Sequence, residues 1–330
     1  MTMKRLAIVV ALTLIGAACG DDDATTTTTT APAITTTTGA ATTTSTMEAP
    51  GALTIVGDDG VTSAIADASR IVSLSGDLTE ILFALGAGDR VVAVDVTTTF
   101  PDEATGLPSV GFGQMLAAEA VLAVQPSVVL ANDLTGPAEA IDQIRGAGVP
   151  VVVLNTGGSF DAVGHKIRTI AAIVGDADAG EALASAVEAE VQAAIDLAGT
   201  ATASPRVAFI YSRGPQLLLL FGLGMGTNAM IEGAGGIDVG AEAGIRGAVP
   251  LSAEALVAAA PDVVILPESG LQALGGIDAL LGVVPGLAET PAGAAGAFLA
   301  YDEAFFFNLG PRVGQALMQL VLDLYPGIAE

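Results

Sequence analysis

One cysteine, one histidine, and 11 lysines and arginines against 36 acidic residues set the first limits on this 330-residue chain. The lone Cys19 excludes an internal disulfide. The lone His165 argues against a carrier of zinc or manganese, because such sites draw on several imidazoles and carboxylates. It also has no obvious nucleophile beside it in sequence, so no hydrolase constellation is visible and the chain reads as a non-enzyme. A formal net charge of −25 excludes the basic face that nucleic acid needs and implies a soluble, self-repelling surface. A cleft in such a protein can still hold local positive charge.

What is present begins with Lys4 and Arg5, an apolar run at 6–18, and Cys19. The run is too short for the roughly 20 residues that span a bilayer, but it suits the core of a secretory signal. Gly16, Ala17 and Ala18 before Cys19 resemble a bacterial lipobox, with glycine where leucine is usual. Residues 1–19 therefore read as a lipoprotein signal peptide ending at Cys19, the lipidated residue. Residues 20–50 carry three aspartates and a threonine-dominated run, too poor in apolar surface to offset their conformational entropy, and read as a disordered tether.

The folded part is organised around residues 179–198, where Leu183, Val187, Val191 and Ile195 recur at helical spacing with no proline. Such a helix reaches about 30 Å, the width of a small domain. On either side of it the sequence repeats itself. AAEAVLAVQPSVVLA at 117–131 returns 135 positions later as SAEALVAAAPDVVIL, and RIVSLSG from Arg70 matches RVAFIYSRG from Arg206. So long a period indicates two lobes of similar fold rather than a solenoid. Short apolar runs at 71–74, 91–94, 128–131, 149–154, 207–211 and 263–266 alternate with helical segments, which predicts α/β lobes with parallel sheets covered on both faces. The expected organisation is an N-terminal lobe at 51–175, a spine helix at 176–200 and a C-terminal lobe at 201–330. Ligands of open α/β sheets sit beyond the carboxyl ends of the strands.

RIVSLSGDLTEILFALGAGDRVVAVD at 70–95, GPAEAIDQIRGAGVPVVVL at 136–154, YSRG at 211–214 and FNLGPR at 307–312 resemble bacterial ABC-transporter substrate-binding proteins. So do the helix starts at Glu119 and Glu254. The subgroup they look most like is the hemin-binding lipoproteins of the HmuT type, within a superfamily that also holds binders of vitamin B12 and ferric siderophores. The resemblance covers about residues 70–325. It implies two α/β lobes joined by one long helix, of the class III periplasmic-binding-protein type. It further implies capture of haem b as a transported ligand, an ABC permease and ATPase as partners, a monomer, and a lipid anchor at the outer face of the cell membrane.

Tyr211 and Arg213 end the first strand of the second lobe, and an extended chain puts both side chains on one face. Phenolate is a known ligand of haem iron, and a nearby guanidinium favours the charged form of a phenol. The resemblance assigns the iron to Tyr211 and the partner role to Arg213. Phe100, Phe112, Met115, Phe221 and the phenylalanines at 305–307 are candidate cleft walls, and Arg213, Arg246 and Arg312 candidate partners for propionates. Many relatives have a tyrosine where this chain has Phe100, and some use a histidine in a loop resembling 132–135, where none is present. The iron is then five-coordinate, takes water, or uses another side chain such as Met115 or Met225. The resemblance also implies that Glu119 and Glu254 dock onto arginines of the permease, although helix-dipole capping explains acids there equally well. His165, beside Lys166 and Arg168 in AVGHKIRTIAAIVG, reads as part of a solvated helix face.

Three other readings stay open. A corrinoid or ferric siderophore could replace haem within the same superfamily. A non-binding envelope scaffold or signalling module would keep the fold without the ligand. FGLGMGTNAM at 221–230, with Asp238 beyond it, superficially resembles the dinucleotide fingerprint of a Rossmann oxidoreductase, but Gly222, Gly224 and Gly226 alternate without the GxGxxG spacing. Those glycines suit a tight turn or a close backbone approach.

Overall fold

A computed structural model describes residues 51–329. The signal segment 1–19 with Cys19, and the threonine-rich residues up to 50, lie outside the described residues. The chain enters through a hairpin of β1 (Leu53–Val56) and β2 (Thr62–Ile65). The first-lobe sheet comprises β3 (Ile71–Ser73), β4 (Val91–Val94), β5 (Val128–Asn132) and β6 (Val151–Leu154), all parallel in the order β4-β3-β5-β6.

The second-lobe sheet uses β7 (Arg206–Ser212), β8 (Leu218–Phe221), β9 (Ile237–Asp238), β10 (Ala248–Pro250), β11 (Val263–Pro267) and β12 (Phe298–Tyr301). Its order is β10-β8-β7-β11-β12, with β9 also on β7. The expectation of parallel strands holds for β9, β7, β11 and β12, whereas β8 and β10 run antiparallel at one edge. The cause is local. Arg213 and Gly214 turn the chain straight back from β7 into β8, and a short turn can join only antiparallel neighbours.

The internal repeat survives at the level of register. Ile71, Val72 and Ser73 pair with Val128, Val129 and Leu130, just as Val207, Ala208 and Phe209 pair with Val263, Val264 and Ile265. Arg70 and Arg206 play one role twice: each guanidinium donates to carbonyls at the end of the helix that precedes the central strand, Val124 and Gln125 in one lobe and Ala259 in the other. Gln125 and Ala260, 135 positions apart, both hold left-handed backbone with φ of 51° and 45°.

Continuous apolar strands arise because both sheet faces are covered, and alternate residues serve different cores. Ile71, Val128, Leu130, Val152, Leu154, Val207, Phe209 and Ile265 point into one core that both lobes share with the helices Asp161–Val174, Ala177–Ala198 and Val313–Leu324. Val72, Val129, Ala131, Val151 and Val153 fill a core belonging to the first lobe alone, and Ala208, Ile210, Val264 and Leu266 one belonging to the second. Because the largest core is common property, the described residues form one compact unit rather than two.

The spine runs Ala177–Ala198 and starts where Gly175, at φ 80°, ends the preceding helix and Asp176 caps the next by accepting from the Ala179 amide. Its buried stripe is Gly180, Ala184, Val187, Val191, Ala194 and Ala198; Leu183 and Ile195 flank it half-buried. A strict fourth-residue spacing drifts about 40° per step around a helix, so Leu183 and Ile195 fall to the sides of the face that Val187 and Val191 centre. Small residues bring the neighbours close: a Cβ on Gly180 would stand 2.1 Å from that of Ala171, and one on Gly314 2.4 Å from that of Glu190.

Candidate functional site

Tyr211 sits at the carboxyl end of β7, half-buried, on the same strand face as Phe209. Its hydroxyl accepts a hydrogen bond from Nε of Arg213 at 2.5 Å, the geometry that the Tyr-x-Arg spacing predicts for an extended chain. The guanidinium carbon lies 5.6 Å from the Tyr211 ring centroid, and Glu303 stands 3.9 Å from its other nitrogen. The hydrogen bond to Tyr211 pushes the Arg213 pKa upward, against the smaller opposing effect of burial. The Arg213 side chain is itself well exposed.

The phenol ring rests on an aromatic bed. Phe221 stacks against Tyr211 at 5.6 Å and Phe307 at 6.0 Å, with Phe209 and Phe306 beneath them. Phe221 is only 4 % exposed, so it supports Tyr211 from the core and is not an open wall of the cleft. β8 turns back against β7 and places Leu219 opposite Tyr211, which swings Phe221 onto the buried side of the sheet. Phe307 was grouped in the sequence only with its run, yet it makes the direct contact.

Arg312 is not open at Tyr211 either. It forms a paired hydrogen bond to Glu80 of the first lobe at 2.8 and 3.1 Å. Its guanidinium lies 3.6 Å over the ring of Phe100, also of the first lobe, and 5.3 Å from that of Phe305. Arg312 is thus spent tying the lobes together, and Phe100 is one half of that clasp. Arg246 is exposed, and its backbone bridges Leu223, farther along the path of β8 from the Tyr211 partner Leu219. Met225 is half-buried against the shared core at the start of the helix Gly226–Gly233.

A second cross-lobe contact went unseen in the sequence. Lys166, read as part of a solvated face, is wholly buried, its Nζ 2.5 Å from Asp77 Oδ2 and 3.2 Å from the Leu309 carbonyl of the second lobe. Asp77 also accepts from Ser75, which receives the Asn132 amide at 3.1 Å. The error is one of phase: Lys166 lies three residues after Val163 and four before Ile170, on the apolar stripe, while His165 points 100° away. That interruption of the stripe by a lysine was the available signal. His165 does sit on the exposed face, 3.2 Å from Asp58.

The first-lobe loop 132–135 has no histidine, and its polar side chains bond to one another and to neighbouring loops. Asn132 Oδ1 accepts from the Leu134 amide and from Thr135, and Asp133 accepts from the amide and hydroxyl of Thr156. Phe112 is half-buried beside it and Met115 is 79 % exposed. Glu119 and Glu254 are both exposed in the first turns of the equivalent helices Ala118–Ala123 and Ala253–Ala259. The glycine-rich loop makes a close approach between lobes: a Cβ on Gly158 would come within 3.0 Å of the Gly224 backbone. Asp238 caps the short helix after it through the amides of Gly240 and Ala241, and burial raises its pKa. Among the described residues no cluster of three or more His, Cys, Asp or Glu side chains could hold a metal ion, and no helix is long and apolar enough to cross a membrane.

The model of the family described as "Periplasmic binding protein" matches residues 71–304. Among solved structures, the chain is similar to the periplasmic heme-binding protein RhuT from Roseiflexus sp. RS-1 in apo form, 44% identical, with 79% of this chain and 100% of that one covered and a TM-score of 0.76. It is also similar to the heme-binding protein HmuT, 35% identical over 83% of this chain and 90% of that one, TM-score 0.77. Solved forms of HmuT include separate variants in which a tyrosine, an arginine two positions after it, or a histidine is replaced by alanine. A "Cobalamin-binding protein" of Halobacterium salinarum is 28% identical over 259 residues, which is 76% of this chain and 68% of the relative.

Proposed function

The chain belongs to the periplasmic binding protein family, and from that premise we propose that it captures ferric haem between its two lobes and delivers it to an ABC importer. The observation that carries this reading is the Tyr211–Arg213 pair. A phenol oxygen at a strand end, half-buried on an aromatic bed and held by a guanidinium, offers ferric iron an oxygen ligand whose negative charge already has a positive partner. Similarity to heme-binding proteins at 35% and 44% identity over most of the chain supports haem more strongly than 28% identity to a cobalamin-binding protein supports a corrinoid. The tyrosine and arginine replaced in HmuT have the spacing of Tyr211 and Arg213, which supports the same assignment.

In this reading Arg213 also meets a propionate, since its side chain remains well exposed. Arg312 and Glu80 hold the lobes at a fixed spacing. Glu119 and Glu254, exposed at equivalent helix starts of a duplicated protein, suit docking onto a two-fold permease. The protein acts as a binding component with no chemistry of its own, held at the outer face of the membrane through lipidated Cys19.

The test is a visible-absorbance titration with hemin, cobalamin and a ferric siderophore in parallel. The expected result is a saturable Soret change with hemin at one equivalent, of tyrosinate type, that is lost in Tyr211→Phe. Saturable binding of either other ligand without hemin moves the substrate and keeps the transport role. An unchanged spectrum in Tyr211→Phe refutes the ligand assignment.

A further inference from the structure

Among the described residues, every arginine–carboxylate pair except one closes to 2.5–2.8 Å: Arg145 with Asp59, Arg168 with Glu181 and Glu188, Arg206 with Glu242, and Arg312 with Glu80. The exception is Arg213 with Glu303, at 3.9 Å, beyond hydrogen-bond reach. It is also the pair beside Tyr211. The Glu303 carboxylate accepts no hydrogen bond from any described residue, and Arg213 is its one ion-pair partner among them.

The position of Glu303 is fixed by the turn that also supports the phenol. Asp302 caps the short helix Glu303–Phe306 by accepting from the Phe305 amide at 3.0 Å, so the helix does not need Glu303 as its cap. The Phe307 amide donates to the Glu303 carbonyl at 2.9 Å, and the Phe307 ring stacks on Tyr211. The carboxylate is thus kept near Arg213 by the backbone and not by a hydrogen bond to it. The hydrogen bond to Tyr211 raises the Arg213 pKa most, and the Glu303 charge adds to it. A pair this loose, with its side chains 60% and 30% exposed, is weakly held. A carboxylate that reached the guanidinium at about 2.8 Å would hold it better.

We propose that Glu303 is a built-in competitor of the ligand's own carboxylates for Arg213. In the free protein it balances the guanidinium. A propionate that takes Arg213 at hydrogen-bond distance brings a second negative charge up against Glu303, and the repulsion shortens the stay of the ligand. The inference rests on the haem reading above and adds the residue that limits how firmly the acidic edge of the ligand is held. Such a limit suits a carrier, which has to give its ligand up. Glu303 is a positioning residue that acts through Arg213, without contact to iron or macrocycle. Arg312 is already closed on Glu80, so the competition falls on Arg213.

The experiment compares the full wild-type chain with Glu303→Gln, which keeps the shape of the side chain and removes its charge. Each is loaded with hemin or with hemin dimethyl ester, and release to an excess of a haem-scavenging apoprotein is followed at the Soret band, with thermal unfolding as the control for folding. Expected is hemin release about threefold to fivefold slower from Glu303→Gln, the size of a partly exposed charge pair, with an unchanged Soret spectrum because the iron ligand is untouched. The ester keeps iron and macrocycle but carries no carboxylate, so the two proteins should hold it equally, however weakly. Hemin release from Glu303→Gln that is as fast as from wild type, or faster, overturns the competition. Equal slowing for hemin and ester also overturns it and assigns the effect to the bond between Tyr211 and iron. Both of these results leave haem capture standing. Absence of hemin binding by the wild-type chain overturns the competition and the haem reading together.

Discussion

The replacement Asp77→Asn tests the buried first-lobe pair with Lys166, whose ammonium also reaches the Leu309 carbonyl of the second lobe. Lys166 is fully buried and Asp77 is 2 % exposed, with 2.5 Å between their charged atoms. With the carboxylate neutralised, the ammonium keeps only the Leu309 carbonyl at 3.2 Å and whatever the amide oxygen offers. Breaking a buried ion pair by removing one partner costs about 3–5 kcal/mol, most of it the desolvation of the charge left behind. Lys166→Met should cost less, about 2–3 kcal/mol, because Asp77 retains Ser75 and lies in the first turn of the helix Gly76–Ala84, where the dipole favours a negative charge. The double variant replaces the pair by two neutral groups and should recover much of the loss, so the two single costs should exceed the double by about 2 kcal/mol or more. The assay is urea unfolding of the three variants at pH 7, with hydrogen exchange at residues 308–310 as a local readout. A cost below about 1 kcal/mol for Asp77→Asn, or strict additivity across the cycle, would refute the coupling of this pair.

Three further outcomes follow from the same structure. Charge reversal at both Glu119 and Glu254 should abolish uptake of hemin into cells while leaving its binding within about twofold, since both side chains are exposed; unimpaired uptake removes the docking role. Burial raises the pKa of Asp95 despite its hydrogen bonds from Thr97, so the folded protein takes up this proton before the unfolded chain does. Asp95 therefore costs stability above its folded pKa, and that cost is gone below the ordinary carboxylate value. Asp95→Asn should unfold at higher temperature than wild type at pH 7, with the gap closing on acidification; a gap independent of pH refutes this. Hydrogen bonds from Arg168 hold the Glu181 pKa down to about 2, so the contact is present above the ordinary value and lost as pH falls toward 2. A carbon-detected titration should find that midpoint, and Arg168→Ala should return it to the usual range.

Several elements were legible because they depend on neighbours a few residues away. The spine, the strand runs at 91–94 and 263–266, and the helix at 138–146 follow from local apolar period and from punctuation such as Gly175 and Asp176. The duplication was legible as well, in the match of the strands that begin at Arg70 and Arg206, while the paired role of the two arginines came only from the structure. The Tyr211–Arg213 contact is likewise local, two residues apart on one strand, and its geometry follows from the pleat. The antiparallel β8 and β10 were missed because short, partly exposed edge strands carry little period of their own.

Sequence by itself determined the class of fold, the repeat, the spine and the pairing of Tyr211 with Arg213, since each rests on spacing along the chain. Tertiary structure decided which of the remaining candidates are free to meet a ligand. Arg312 and Phe100 are separated by more than 200 residues and clasp each other across the lobes, while Phe221 is pressed beneath Tyr211 and Lys166 is drawn into the shared core. A side chain's type fixes what it can bond. Only the folded neighbourhood fixes whether those bonds are already taken, because desolvation and partner geometry come from segments distant in sequence.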